Sequence, residues 1–519
     1  MVRKLEVMQV SDICHFVSPP SLTELRALSD QEHLECTEEE LVTVQECFNY
    51  TMNAYAAIWK IPEPRLEVKY PRTTGQMPTG EDNPYNAWFV KCEVQRAESG
   101  ALKDKTIGIS DNIALAEITM SSSALLGDYV PEYDATVVTR ILSEGGEITG
   151  KTANSSTSCS GVVENPHDTT RLAGTADSGG AALVSGGQLD MAVGLDHGGS
   201  LRIASSWTGI VGLKPTYGLV PYTGIIAAEV TLDHVGPMAK TVGDCAALLE
   251  VLSGTDNNLD PRQPTTLKSV NYSRELEESV DDRRIGLLKE GFDLADEEVA
   301  KIVMKAAMKL KTDAAEVDSV SVPEHVHGRA IWGSIFLQGS IKTLTQGKGI
   351  GDGFKGYYPG SLHDALTATL GKESGKLPST SKAVYLTAKY VNQETSNRFY
   401  CKAQNLSLKL KAAYDKALEK YDVLVMPTVP FIAPAYTDLP NMTAGDYFNG
   451  MEMVSNTSPF NCTGHPALTI NAGTIDGLPV GMMLVGRHFD EKLLLRIAKK
   501  FEGVRDQKEE DMETPPNEA

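Results

Sequence analysis

The stretch GLDHGGSLRI, residues 194–203, sets a serine directly after two glycines, with Asp196 before it and Arg202 after it. Glycine lets a chain turn tightly and approach a ligand closely. In DHGGS, successive N–H groups can point into one small space, which is how a backbone oxyanion hole is made. Ser200 is therefore a candidate nucleophile, and a serine hydroxyl is a poor one until a base takes its proton. Asp177 and His197 are the side chains nearby in sequence that could move a proton, and a His–Asp pair can in principle activate a serine. On the alternative reading His197 lends only its backbone N–H. Taken alone, GGS strongly favours a glycine-rich turn without chemistry.

The elements that must position these residues follow from periodicity. Residues 21–60 read as helices: Thr37 and Glu40 have capping-box spacing, and Leu41, Val44, Phe48, Met52 and Tyr55 recur at helical intervals. Residues 61–85, rich in Pro, Gly and Thr, read as a linker. From about residue 86 short apolar strands alternate with helices. TIGIS, IGLLKEG, DVLVMP and ALTINAG read as strands; YDATVVTRILSEGG and DEEVAKIVMKAAMKLK read as helices. Such alternation predicts an α/β layered fold with helices on both sheet faces. The glycine-rich segment 346–362 has no strand before it and no helix directly after it, so a plain loop is expected rather than a phosphate cradle. The tail 506–519 is charged and contains Pro, as disordered segments do.

Composition narrows the function classes. The 519 residues allow a large core. The 48 Lys plus Arg against 69 Asp plus Glu give a net charge of -21, which repels nucleic acid and anionic membrane. A small-molecule or protein partner is expected. The eight cysteines form no CxxC pair, against zinc ribbons and thioredoxin-like motifs. The first residues hold no apolar stretch fit for a signal peptide, and no apolar run is long enough to span a membrane. A cytoplasmic location is expected.

The string GTADSGGAALVSGGQLDMAVGLDHGGSLRIASSWTGIVGLKPT, residues 174–216, resembles the amidase signature family. So do DHVGPMAKTVGDCAALLEVLSG, YDVLVMPTVP and NCTGHPALTINAGTIDGLPVGMMLVGRHFD; the resemblance runs over about residues 85–503. It implies an amidase signature α/β/α fold, a large twisted mixed sheet covered by helices on both faces. The expected division is an N-terminal helical segment and linker over 1–84, the amidase signature domain over 85–505, and an acidic tail over 506–519. The family's machinery is a serine nucleophile, a lysine base, and a second serine that relays the proton to the lysine. The resemblance assigns Ser200 as nucleophile, the N–H groups of His197, Gly198, Gly199 and Ser200 as oxyanion hole, and Asp196 and Arg202 as the pair bracing the turn. Lys151 matches a structural GK of the family, and His465 reads as structural. Trp207 and Tyr222 are pocket or core residues.

Two positions depart from the pattern. Ala176 stands where the relay serine belongs, and Ser110, in TIGISDN, stands where the lysine belongs. Ala176 cannot pass a proton, and a serine hydroxyl is far too weakly basic to accept one near pH 7. In serine proteases, loss of a triad member leaves only about 10³ to 10⁴-fold catalysis over water, so ordinary amide hydrolysis should be badly impaired. Three readings compete. The pocket binds a carbonyl or amide compound and promotes cyclisation, isomerisation, elimination or condensation. Alternatively Ser200 serves a hydrolase or acyltransferase with Asp177 or His197 as substitute base. Thirdly, the protein is a non-catalytic binding protein. None calls for a metal or organic cofactor, and a homodimer is left open.

Overall fold

The computed structural model describes residues 20–121, 126, 129–153, 162–268, 270–280, 282–311, 316–372, 379–436 and 451–505. The tail 506–519 lies outside the described residues. The chain divides into two compact units, Met1–Leu66 and Glu67–Ala519.

The smaller unit carries helices α1 (Leu22–Gln31) and α2 (Glu38–Trp59), each opened by a capping box. Ser21 and Thr37 accept from the N–H groups of Glu24 and Glu40, at 3.2 and 3.3 Å. Both glutamates in return accept the cap residue's N–H at 2.7 Å. Two otherwise orphaned donors are thus satisfied at each start, as the Thr37–Glu40 spacing predicted.

The larger unit is built on one sheet. Its strands are β1 (Trp88–Lys91), β2 (Thr106–Ser110), β3 (Glu147–Thr152), β6 (Met191–Asp196), β7 (Val211–Lys214), β8 (His234–Ala239), β9 (Arg284–Leu288), β10 (Glu316–Val320), β11 (Val423–Pro427), β12 (Ala467–Ile475) and β13 (Leu478–Val485); β4 (Glu164–Asn165) and β5 (Asp168–Leu172) pair apart from it. The order is β1-β3-β2-β6-β8-β7-β12-β13-β11-β9-β10. The pairs β2–β3, β2–β6, β9–β10 and β9–β11 are parallel, and the remaining neighbours are antiparallel.

Parallel neighbours need crossover helices. Helix α3 (Thr136–Ser143) joins β2 to β3, α4 (Ser178–Ser185) leads into β6, and α7 (Glu297–Met308) joins β9 to β10; α5 (Ser200–Thr208) and α6 (Val242–Leu252) lie in sequence between α4 and α7. The mixed α/β sheet agrees with the expected fold class. TIGIS, IGLLKEG, DVLVMP and ALTINAG each supply a strand; of the expected loop 346–362, residues 346–359 form no helix or strand, but a helix, Gly360–Lys372, begins inside it where none was expected to follow directly.

The centre of the sheet is dry. All six residues of β6 and all four of β7 are buried. Helix α5 is buried on every side beyond Ser200. Its polar residues are accommodated locally: the hydroxyls of Ser205 and Thr208 donate to the carbonyls of Leu201 and Ala204, one turn back. Trp207 is a core residue, fully buried, with its indole N–H donating to the Phe431 carbonyl.

Candidate active site

Strand β6 ends at Asp196, residues 197–199 turn, and Ser200 begins α5. The first N–H groups of a helix have no partner within it. Here none of the N–H groups of Gly198, Gly199 and Ser200 meets an acceptor among the described residues.

Three carbonyls on the other side of the turn are each held by a side chain. The Asp196 carbonyl accepts from Asn461 Nδ2 at 2.8 Å. The His197 carbonyl accepts from Nε1 of Trp332, on helix α8 (Gly328–Thr345), at 2.8 Å. The Gly198 carbonyl accepts from Thr457 Oγ1 at 2.7 Å. Fixing the carbonyls fixes the facing N–H groups. Both glycines are required. Gly199 adopts φ +133°, and a Cβ there would lie 2.2 Å from Thr457 Oγ1; a Cβ on Gly198 would lie 2.6 Å from the Trp332 ring.

Arg202 braces the turn from below. It is fully buried and grips Asp196 with two bonds, Nε to Oδ2 at 2.9 Å and Nη2 to Oδ1 at 2.8 Å. Its remaining donors reach the Thr457 carbonyl and Asn461 Oδ1. Every charge in this pair is therefore answered, as a buried ion pair requires. Burial pushes the Asp196 carboxyl up, but Arg202 outweighs it and leaves the pKa below the usual value.

The proton-handling residues are arranged differently from a Ser–His pair. Ser200 is half-buried, and its Oγ has no hydrogen-bond partner among the described residues. His197 turns its imidazole to Tyr222, whose hydroxyl lies 3.0 Å from Nε2, and Asp233 Oδ1 is 3.7 Å from the same nitrogen. The Tyr222 hydroxyl also donates to the Ile226 carbonyl. This network assigns the proton to Nε2 and the lone pair to Nδ1. Burial lowers the His197 pKa, with the carboxylates of Asp177 and Asp196 opposing it. The imidazole is thus neutral near pH 7 and makes no bond to Ser200. Behind it, burial pushes Asp233 up to about 7 despite the N–H groups of Glu229 and Ala228 and the Arg262 charge.

Asp177 follows Ala176 and sits at the start of α4 in a left-handed conformation, φ +61°. Aspartate in that position ordinarily caps the helix, yet this one makes no cap bond. Its carboxylate is buried, and neither oxygen has a partner at hydrogen-bond geometry. Burial raises its pKa to about 6; the Ser110 hydroxyl and the Leu195 N–H, which approach the carboxylate without meeting strict hydrogen-bond geometry, and His197 pull the other way. Ser110 is the last residue of β2, buried next to β6. A Cβ placed on Gly194 of β6 would lie 3.5 Å from the Asp177 Cβ. Ser110 and Asp177 therefore share the carboxyl edge of β2 and β6, the edge from which the Ser200 turn departs.

Of the lysines to either side of Ser110 in sequence, Lys105 and Lys151 are engaged elsewhere. Lys105 pairs with Asp244 at 2.8 Å. Lys151, fully buried in β3, lies 3.4 Å from Asp111 Oδ1; burial lowers its pKa while Asp111 opposes.

The sequence names Ser200, His197, Asp177, Ser110 and Ala176 as candidate positions; it does not point to Trp332, Thr457, Asn461 and Asp233, which contact the Ser200 turn or the His197 ring. Asn461 lies in a stretch that resembles the family, NCTGHPAL, and Asp233 opens another. Trp332 and Thr457 carry no sequence signal for their role.

Comparison with known proteins agrees with this architecture. The family model described as Amidase matches residues 90–495. The chain is 36% identical over 500 residues to an enantioselective amidase of Rhodococcus rhodochrous, covering 93% of this chain and 95% of that one. It is 33% identical over 426 residues to a glutamyl-tRNA(Gln) amidotransferase subunit of Haloarcula marismortui, covering 79% and 98%. Among solved structures, the Thermotoga maritima counterpart of that amidotransferase polypeptide superposes with a TM-score of 0.65 at 27% identity, over 80% of this chain and 86% of the other. The chain belongs to the amidase family. No helix among the described residues is long and apolar enough to cross a membrane.

Proposed function

We propose that this protein is an amidase-family enzyme that binds a carbonyl or amide small molecule and moves a proton on it without forming an acyl-enzyme. The observation that carries the reading is Asp177: a buried carboxyl beside the Ser110 hydroxyl and the Leu195 N–H, without an ion pair among the described residues, pushed up to about 6, on the sheet edge that also bears the turn whose N–H groups meet no acceptor among the described residues. A base works best when its pKa lies near the operating pH. A carboxylate base paired with an oxyanion hole is suited to removing a proton beside a carbonyl, while Gly198, Gly199 and Ser200 hold the enolate or alkoxide oxygen. Cyclisation, isomerisation, elimination and condensation all draw on that step. The degenerate pair, Ser110 and Ala176, leaves Ser200 without the family's route to activation. The net charge of -21 argues against a nucleic-acid partner; a cytoplasmic protein, alone or as a homodimer, fits this reading.

A second reading keeps Ser200 as nucleophile of a hydrolase or acyltransferase, with Asp177 or His197 as substitute base. The 36% identity to an enantioselective amidase favours it.

One experiment separates the two. Ser200→Ala and Asp177→Asn are compared with the unmodified protein on a panel of simple amides, activated esters and enolisable carbonyl compounds, alongside labelling by a serine-directed fluorophosphonate. The first reading expects slow labelling or none, little turnover of simple amides such as benzamide, and activity that survives Ser200→Ala but not Asp177→Asn. Fast labelling lost in Ser200→Ala, together with amide turnover, would replace it with the second. Ligand binding without turnover by any of the three proteins would mark a binding protein.

A further inference from the structure

We infer that Asp415, His465 and His488, none of them used in the proposed chemistry, form a binding site for a divalent transition metal of the zinc class. Asp415 lies on helix α9 (Arg398–Lys420), His465 between helix α10 (Pro459–Thr463) and β12, and His488 between β13 and helix α11 (Glu491–Val504). One potential donor atom from each lies within 4.8 Å of the other two. Two imidazoles and a carboxylate are a borderline-soft N,N,O donor set, the kind that zinc takes with a fourth position left to water.

The geometry around the three side chains supports ligation. His488 Nε2 donates to the Thr463 carbonyl at 2.9 Å. A carbonyl can only accept, so the lone pair of His488 is on Nδ1, the atom 3.9 Å from Asp415 Oδ1. His465 Nε2 lies 3.1 Å from that same carboxylate oxygen, and its Nδ1 lies 2.9 Å from Thr463 Oγ1. The Thr463 hydroxyl can accept as well as donate. The His465 proton can therefore sit on Nδ1, freeing Nε2 for a metal. Thr463 thus serves both imidazoles as the outer partner that orients ligating histidines. Lys411 bonds the other Asp415 oxygen at 2.7 Å and stays there when Oδ1 turns to an ion.

Donors in a tetrahedral zinc site stand roughly 3.3 Å apart, given bonds of about 2.0 to 2.1 Å. His465 is fully buried, whereas Asp415 is 44% and His488 22% exposed. The two partly exposed side chains can make the small rotation that closes the site around a rigid His465, with solvent supplying the fourth ligand. A bound ion would fasten α9 to both segments that flank the β12–β13 hairpin.

The test is metal titration of the full-length protein after chelator treatment, read by calorimetry with Zn²⁺, by visible absorption with Co²⁺, and by thermal melting. The expected result is one ion per chain, the absorption of a low-coordinate Co²⁺ site, and a melting temperature that rises with Zn²⁺. His488→Ala and Asp415→Asn, both at partly exposed positions, should each melt near the unmodified protein without metal and weaken binding at least about tenfold. Absence of saturable binding, or binding that survives either substitution unchanged, would overturn the assignment and leave only scattered surface histidines as the source of any metal uptake.

Discussion

Asp177 is held near pKa 6 against an ordinary 3.8, so the folded state favours its protonated form. Its stabilising contribution is complete below the unfolded value and is lost as pH rises through about 6. Asp177→Asn should therefore abolish proton transfer and at the same time raise the melting temperature at about pH 8, with little effect near the unfolded value. The gap between about 6 and 3.8 caps the gain at about 3 kcal/mol. An equal change in melting at both pH values would show that Asp177 is not a buried strained acid. Activity that depends on its carboxylate should climb between about pH 5 and 7. Ser110 bears on the same group. On the proposed reading, Ser110→Lys with Ala176→Ser supplies the lysine and serine that the family resemblance implies at these positions, but the new ammonium would meet Asp177 and be held protonated. Amide hydrolysis should hence appear only when Asp177→Ser is added, and each change alone should do little. A folded triple variant without hydrolysis would mean that the pocket geometry itself differs from that of hydrolytic relatives.

Among the secondary-structure elements, those that hold the Ser200 turn are distant from it in sequence. Trp332, from α8, stacks on Phe336 at 5.0 Å and donates to the His197 carbonyl. Trp332→Phe keeps the stacking ring and leaves that carbonyl unsatisfied, a loss of roughly 1–3 kcal/mol. The cradle should loosen with it, so the turnover expected under the proposed function should fall more than overall stability does; urea melts alongside initial rates measure both. The Asp196–Arg202 pair lies deeper. Arg202→Met leaves a buried carboxylate without its cation and should destabilise by about 3–5 kcal/mol. Equilibrium unfolding checks this, and a loss below about 1 kcal/mol would show that Asn461 alone can satisfy Asp196.

Over the molecule as a whole, charge sets the background. A net charge of -21 produces self-repulsion that salt screens, whereas the buried Asp196–Arg202 pair is insulated from it. Raising ionic strength from about 0.01 M to about 0.3 M should raise the melting temperature by a few degrees. A fall on adding salt would mean that attractive surface pairs outweigh the repulsion. The sheet order matters in the same global sense. It sets β2 beside β6, and so brings Ser110 and Asp177 to the edge where the Ser200 turn begins.

Features that depend on neighbours along the chain were legible before any fold was known. The Thr37–Glu40 capping box, the strands TIGIS and ALTINAG and the DHGGS turn belong here, because caps, periodicity and glycine chemistry act over a few residues. The family resemblance was legible for a similar reason, since its longest motif is one contiguous string. Where side chains point emerged only from the packing of the elements. His197 was a candidate partner for Ser200 by proximity in sequence, but its imidazole turns to Tyr222 and Asp233, leaving the Ser200 hydroxyl unbonded. The groups that hold the turn, Trp332, Thr457 and Asn461, reach it across 135, 259 and 265 residues. No periodicity encodes such contacts, because they arise where separate strands and helices pack. Asp177 shows the same division: its identity is written in the chain, but its burial beside Ser110 and Leu195, and hence its proton affinity, exists only once β2, β6 and α4 have met.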